Sequence, residues 1–95
     1  MGTNSAGHGN NIAVIGNTDC TAWHPADDNG VALGSASYRF SNLYVADVQM
    51  SNEGTEGNEV DGTTGNWTIQ EGEDDLYLLN RKNGKKYRFK LEEIK

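Results

Sequence analysis

The chain has 95 residues, and Val, Ile, Leu and Phe supply 17 of them, about 18%, under the roughly 20% at which a lone chain struggles to offset its ordering entropy. Gly and Asn occupy 23 positions, one Cys and one Pro are present, and no apolar run approaches the roughly 20 residues of a membrane helix. These quantities exclude a small autonomous helical domain, a membrane-spanning protein and a disulfide-stapled miniprotein, and they leave a single all-β module that needs copies of itself.

The net charge of −6 conceals a division. Residues 1–80 carry twelve acids and one base, Arg39, whereas residues 81–95 carry seven bases and two acids. A basic tail invites a nucleic-acid reading, but an acidic body repels phosphate at range. The tail is therefore read as a strand face that needs acidic neighbours, and no nucleic-acid partner is expected.

In chain order, residues 1–10 read as a flexible lead-in. They contain no Lys, Arg or apolar stretch, so no secretory signal is expected there. Residues 11–50 form a Gly/Asn-punctuated β fibre segment. Within it, Asn11-Ile12-Ala13-Val14-Ile15-Gly16 is echoed about 18 residues later by Asn29-Gly30-Val31-Ala32-Leu33-Gly34. Both phrases place Ala among larger aliphatics and close on Gly, which suits short β-segments at a crowded axis with a sharp exit turn. The polar stretch between them holds Cys20, Trp23, His24, Asp27 and Asp28. Residues 38–50 read as extended, with a bend near Ser41-Asn42, because Tyr38 and Phe40 alternate, as do Val48 and Met50.

Residues 51–65 are a polar loop or a pair of short polar strands. Residues 66–95 form a C-terminal meander of three antiparallel strands: Trp67 to Gln70, Asp75 to Arg81 and Lys86 to Glu92. Asn83-Gly84 is a strong two-residue hairpin signal. With that turn, Leu78 lies opposite Phe89, Leu76 opposite Leu91 and Asn80 opposite Tyr87, which gives an apolar side. The other side then sets Arg81 directly against Lys86, a like-charge pair that requires acidic neighbours.

Leu33-Gly34-Ser35-Ala36-Ser37-Tyr38-Arg39-Phe40-Ser41-Asn42-Leu43-Tyr44-Val45 is similar to a phrase that recurs near the C-terminal ends of phage tail fibres and tailspikes. The stretch Gly9 to Gly16 resembles the Asn/Gly repeats of trimeric fibres and trimeric autotransporter heads. Gly65 to Gln70, continued by Tyr87 to Leu91, resembles the closing segment of fibres from large marine phages, cyanophages especially. The resemblance spans residues 9–94. It implies an interwound parallel homotrimer on the host-facing end of a virion tail, below an upstream fibre shaft. A bacterial surface polysaccharide or outer-membrane receptor would be its partner, without membrane insertion. Such a protein is made in the host cytoplasm. Many relatives carry a self-cleaving chaperone that opens with a Ser-Asp pair and a downstream Lys. Here Met50-Ser51-Asn52-Glu53 has Asn in place of Asp and the next Lys is Lys82, so that autoproteolysis is not carried over.

Chemistry-bearing residues are sparse. Cys20, His24 and His8 are too few soft ligands for a metal site within one chain, and Cys20 is expected to be buried and reduced. Asp27-Asp28-Asn29-Gly30 lacks the oxygen series of a calcium loop and reads as a solvated turn. Asn66-Trp67-Thr68 matches a glycosylation acceptor by chance. No nucleophile–base pair, phosphate loop or dinucleotide fingerprint occurs, so neither an enzyme nor a cofactor is expected. Trp23 either stacks on a sugar ring, with His24, Asp27, Asp28 and Asn29 addressing hydroxyls, or packs beneath its own loop or into a trimer seam.

The resulting expectation is a non-enzymatic fibre domain for trimerisation and glycan attachment. Ile12, Val14, Val31, Leu33, Leu76, Leu78, Phe89 and Leu91 would form the trimer core. The alternative is a filament or decoration subunit assembling head-to-tail through its acidic body and basic C-terminal strand; a glycan-cleaving fragment is a further rival.

Overall fold

The computed structural model describes residues 7–95. Residues 1–6 of the expected lead-in lie outside the described residues. The chain divides into two units, Met1–Phe40 and Ser41–Lys95. Among the described residues there is no helix, and the strands are β1 (Val48–Ser51), β2 (Asn66–Glu71), β3 (Leu76–Asn80) and β4 (Lys86–Arg88). They pair in chain order as one antiparallel sheet.

The meander therefore has four strands, not three. The added strand is β1, whose Val48 and Met50 stand opposite Ile69 and Trp67 of β2. Its alternation is visible in the sequence, but its partner lies beyond a long loop. The side-chain period of two then sorts the sheet into two faces. Val48, Met50, Trp67, Ile69, Leu76, Leu78 and Tyr87 share one face, while Gln49, Thr68, Gln70, Tyr77, Leu79, Lys86 and Arg88 share the other.

The β3–β4 hairpin also differs from expectation. Leu78 is paired with Tyr87 and Leu79 with Lys86, and the Phe89 N–H donates to the Leu76 carbonyl at 3.0 Å. The register has moved by two residues, which preserves every face assignment but changes every pair. Asn80 causes the move. Its side-chain carbonyl accepts from the Lys82 N–H at 2.9 Å and the Asn83 N–H at 3.3 Å, and its own N–H donates to the Lys85 carbonyl at 2.9 Å. A four-residue loop over 81–84 results, in which Gly84 adopts φ 76° while Asn83 is not left-handed.

The expected Arg81–Lys86 like-charge pair is consequently absent. Arg81 sits in the loop, its N–H donating to the Asn66 carbonyl at 2.8 Å and its Nε to the Thr68 hydroxyl at 2.9 Å. Thr68 in turn donates to Gln49 Oε1 at 2.6 Å and has 0% of its surface exposed. A chain of polar groups thus crosses β1, β2 and the hairpin loop, with each buried partner satisfied.

Residues 52–65 form a loop without strands, tied by its own side chains. Asn52 Oδ1 accepts from the Gly65 N–H at 2.7 Å, and Asn58 Oδ1 accepts from the N–H groups of Val60 and Asp61 at 2.7 and 3.0 Å. Side chains that imitate backbone acceptors are what Asn and Asp contribute to turns.

In the first unit, neither Ile12 to Ile15 nor Val31 to Leu33 forms a strand, because a strand needs a hydrogen-bonded neighbour and none is present there among the described residues. The 18-residue echo is nonetheless real in the backbone. Asn11 and Asn29 are both left-handed, with φ 61° and 59°, and Gly16 and Gly34 both have positive φ, 89° and 84°. Each Gly is followed by the same turn: the Cys20 N–H donates to the Asn17 carbonyl at 3.0 Å, and the Tyr38 N–H to the Ser35 carbonyl at 3.2 Å. Cys20 is exposed and free, contrary to the expectation of burial, because this unit has no buried apolar interior to receive it.

Gly57 has φ 99°, and a Cβ there would collide with the Gly62 carbonyl. Gly57→Ala should therefore cost about 2 kcal/mol or more in chemical denaturation, from left-handed strain plus displacement of backbone. Gly84→Asn, at positive φ in open space, should cost under about 1 kcal/mol.

Candidate interaction surface

No hydrophobic side chain is buried among the described residues. The apolar sheet face is partly open to water. Leu76 is 40% exposed, Met50 and Tyr87 45%, and Phe89 36%, while Val48, Trp67, Ile69 and Leu78 are half-buried. The Trp67 and Tyr87 rings meet across this face at 5.8 Å between centroids, tilted by 42°, an attractive aromatic geometry.

The expected core residues are divided between the two units. Leu76, Leu78 and Phe89 stand together on the apolar face, and Leu91 lies beyond β4, 68% exposed. Ile12, Val31 and Leu33 are exposed and Val14 is half-buried, all in the first unit. Sequence reasoning left Val48, Met50, Trp67 and Ile69 out of the core. Their alternation was available as a signal, but assigning a face required knowing which strands pair.

The expected sugar contacts are also placed apart. Trp23, 70% exposed, lines a shallow groove of about 330 Å³ with Pro25, Val31 and Leu33. His24, Asp27 and Asp28 line a second groove of about 290 Å³ that shares Pro25. Asn29 lies in the turn closed by the Gly30 N–H to the Asp27 carbonyl at 3.4 Å and lines neither groove. Among the described residues no three His, Cys, Asp or Glu groups come together to hold a metal ion.

Two grooves flank the sheet. One, of about 370 Å³, joins Met50 and Trp67 to Asn52, Asn58 and Thr63, but both amides are already engaged within the loop. The other, of about 360 Å³, lies on the polar face between Gln70, Tyr77, Leu79, Lys86 and Arg88. The side chains of Lys86 and Arg88 have no hydrogen bond or ion pair among the described residues.

Asp61 anchors the loop electrostatically. Its carboxylate accepts from the Thr63 hydroxyl at 2.8 Å, the Asn58 amide at 2.7 Å and the Thr63 N–H at 3.1 Å. These bonds, the Thr63 hydroxyl first, hold its pKa below the usual value of 3.8, since each donor favours the charged form.

No protein-family model matches the chain, and comparison with curated proteins and with solved structures finds no match.

A depressed carboxyl stabilises the folded loop above its unfolded pKa, and that contribution disappears as pH falls through the folded value. In an NMR titration the Thr63 amide should therefore move with a midpoint below 3.8. Asp61→Asn should abolish that movement.

Proposed function

We propose that the chain is a non-enzymatic, trimeric fibre domain of a virion tail that attaches to a bacterial surface glycan. The observation that carries this reading is the absence of any buried apolar side chain among the described residues, beside a sheet with one apolar face. Antiparallel sheets ordinarily cover one such face and solvate the other. Covering it with sister copies would remove that apolar surface from water, at roughly 25 cal/mol per Å².

The 18-residue backbone repeat supports the fibre reading in particular. Each repeat offers an apolar phrase held between a left-handed Asn and a left-handed Gly, and such a unit has nothing of its own to pack against. Below a fibre shaft, threefold presentation of the loops would add weak sugar contacts as avidity. The polar composition of the loops around Trp23 suits a neutral or weakly charged glycan better than a polyanion, given the acidic body.

A head-to-tail filament is the second reading, favoured by Lys86 and Arg88, which have no partner among the described residues, in a chain whose first 80 residues are rich in acids. Closed trimers form short rods in negative stain, whereas the filament grows into threads and dissolves with added salt.

Multi-angle light scattering at micromolar concentration should return three times the 10.4 kDa chain mass; a folded monomer overturns the proposal. Leu78→Asp, a charge in the centre of the apolar face, should abolish association. Val60→Asp, at a loop position already 94% exposed, should leave the mass unchanged. Trp23→Ala should weaken binding to purified host surface polysaccharide by roughly tenfold without changing the mass, the loss of one aromatic anchor.

A further inference from the structure

We propose that the groove on the polar face of the sheet is a subsite for a carboxylate-bearing sugar, a single ring of the uronic acid kind. It is formed by other residues than the loop around Trp23. The inference extends the glycan-attachment reading, but every residue of the site belongs to one chain, so it does not depend on the trimer.

The floor of the groove is apolar and fixed. Its space of about 360 Å³ crosses three strands, from Gln70 of β2 over Tyr77 and Leu79 of β3 to Lys86 and Arg88 of β4. Tyr77 is 37% exposed. Its ring rests over Gly72, where a Cβ would come within 2.6 Å of it. A ring already seated in this way loses little freedom when a ligand arrives. One face of a pyranose is made of C–H groups, and an aromatic ring with an aliphatic neighbour is the surface that such a face covers.

Charge selects an anion at one end. Lys86 and Arg88 are two residues apart on β4 and so project from the same face of the sheet. Neither side chain has a hydrogen bond or ion pair among the described residues. Two cations without a counter-charge at the rim of a groove attract an anionic group. The planar fork of Arg88 matches both oxygens of a carboxylate, with Lys86 adding a second positive charge beside it.

The other end selects hydroxyls. Gln70, Tyr77 and Arg88 are cross-strand neighbours in turn, about 10 Å from first to last at two strand spacings. The Gln70 amide donates to the Asp47 carboxylate at 3.3 Å, which leaves the Gln70 carbonyl to accept from a ligand. Asp47 accepts hydroxyl protons and repels a second acid. The row therefore fits one sugar ring lying over Tyr77, its carboxylate toward Arg88 and its hydroxyls toward Gln70. An acidic peptide added along the edge of β4 would meet Lys86 and Arg88 but not Gln70. One acid per ring is also the charge density that an acidic body tolerates in a glycan.

The test is an NMR titration of the full chain with methyl glucuronide and methyl glucoside, which exchange a carboxylate for a hydroxymethyl group. The glucuronide should shift the resonances of Tyr77, Lys86 and Arg88 and bind at least about tenfold more tightly than the glucoside. Added salt should weaken it. Arg88→Gln, at an exposed position, should lower glucuronide affinity roughly tenfold without disturbing the remaining spectrum, while Trp23→Ala should leave it within about twofold. Equal affinity for the two sugars, or shifts confined to the Trp23 loop, overturns the subsite and leaves glycan attachment standing. Acetate that binds as tightly as the glucuronide reduces the groove to a bare anion site and overturns the sugar. A peptide of residues 71–75, Glu-Gly-Glu-Asp-Asp, binding more tightly than the glucuronide overturns it in favour of head-to-tail contact. Glucuronide binding at the groove of a monomeric chain would overturn the trimer and support the subsite.

Discussion

Water reaches every apolar side chain among the described residues to some degree, and the rest of the structure depends on that constraint. A sheet this small gains little free energy while its apolar side stays wet. The seven side chains from Val48 to Tyr87 on that side are arranged as a core-forming surface is, alternating with polar neighbours on each strand and bringing Trp67 against Tyr87. What they lack is a second layer. In the proposed assembly, sister copies supply it.

Order within the chain comes instead from polar contacts. Thr68, the residue with no exposed surface, is sealed by Gln49 and Arg81 on the face opposite the aromatic pair. The long loop before β2 is held by Asn52, Asn58 and Asp61, whose side chains replace missing backbone partners. This is an economical use of a composition poor in aliphatics and rich in Asn. Side-chain acceptors can rigidify a loop without burying it, whereas a hydrophobic loop would need a roof.

The same logic extends to the first unit. Its two repeats are defined by backbone handedness, with Asn11 and Asn29 opening them and Gly16 and Gly34 closing them. Neither repeat forms a strand, since strand pairing is a property of two segments. Placing such phrases around a threefold axis would give each a neighbour at the same height. The loop between them, carrying Trp23 and His24, would then be held on both sides.

Much of this was legible in the residues themselves. The all-β class followed from composition, the strands around Trp67, Leu78 and Tyr87 from alternation, and the repeat from its Asn and Gly positions. The apolar membership of Leu76, Leu78 and Phe89 survived even though their partners shifted, because a two-residue slip leaves faces intact. Local pattern did not reveal that Val48–Ser51 pairs with Asn66–Glu71 across a polar loop, since pairing distant segments is a matter of register and not of propensity. Nor did it reveal that Asn80 would cap the hairpin and release Arg81 to Thr68, or that Cys20 would find no interior. Alternation determines which way a side chain points; what it points at is decided when the strands assemble.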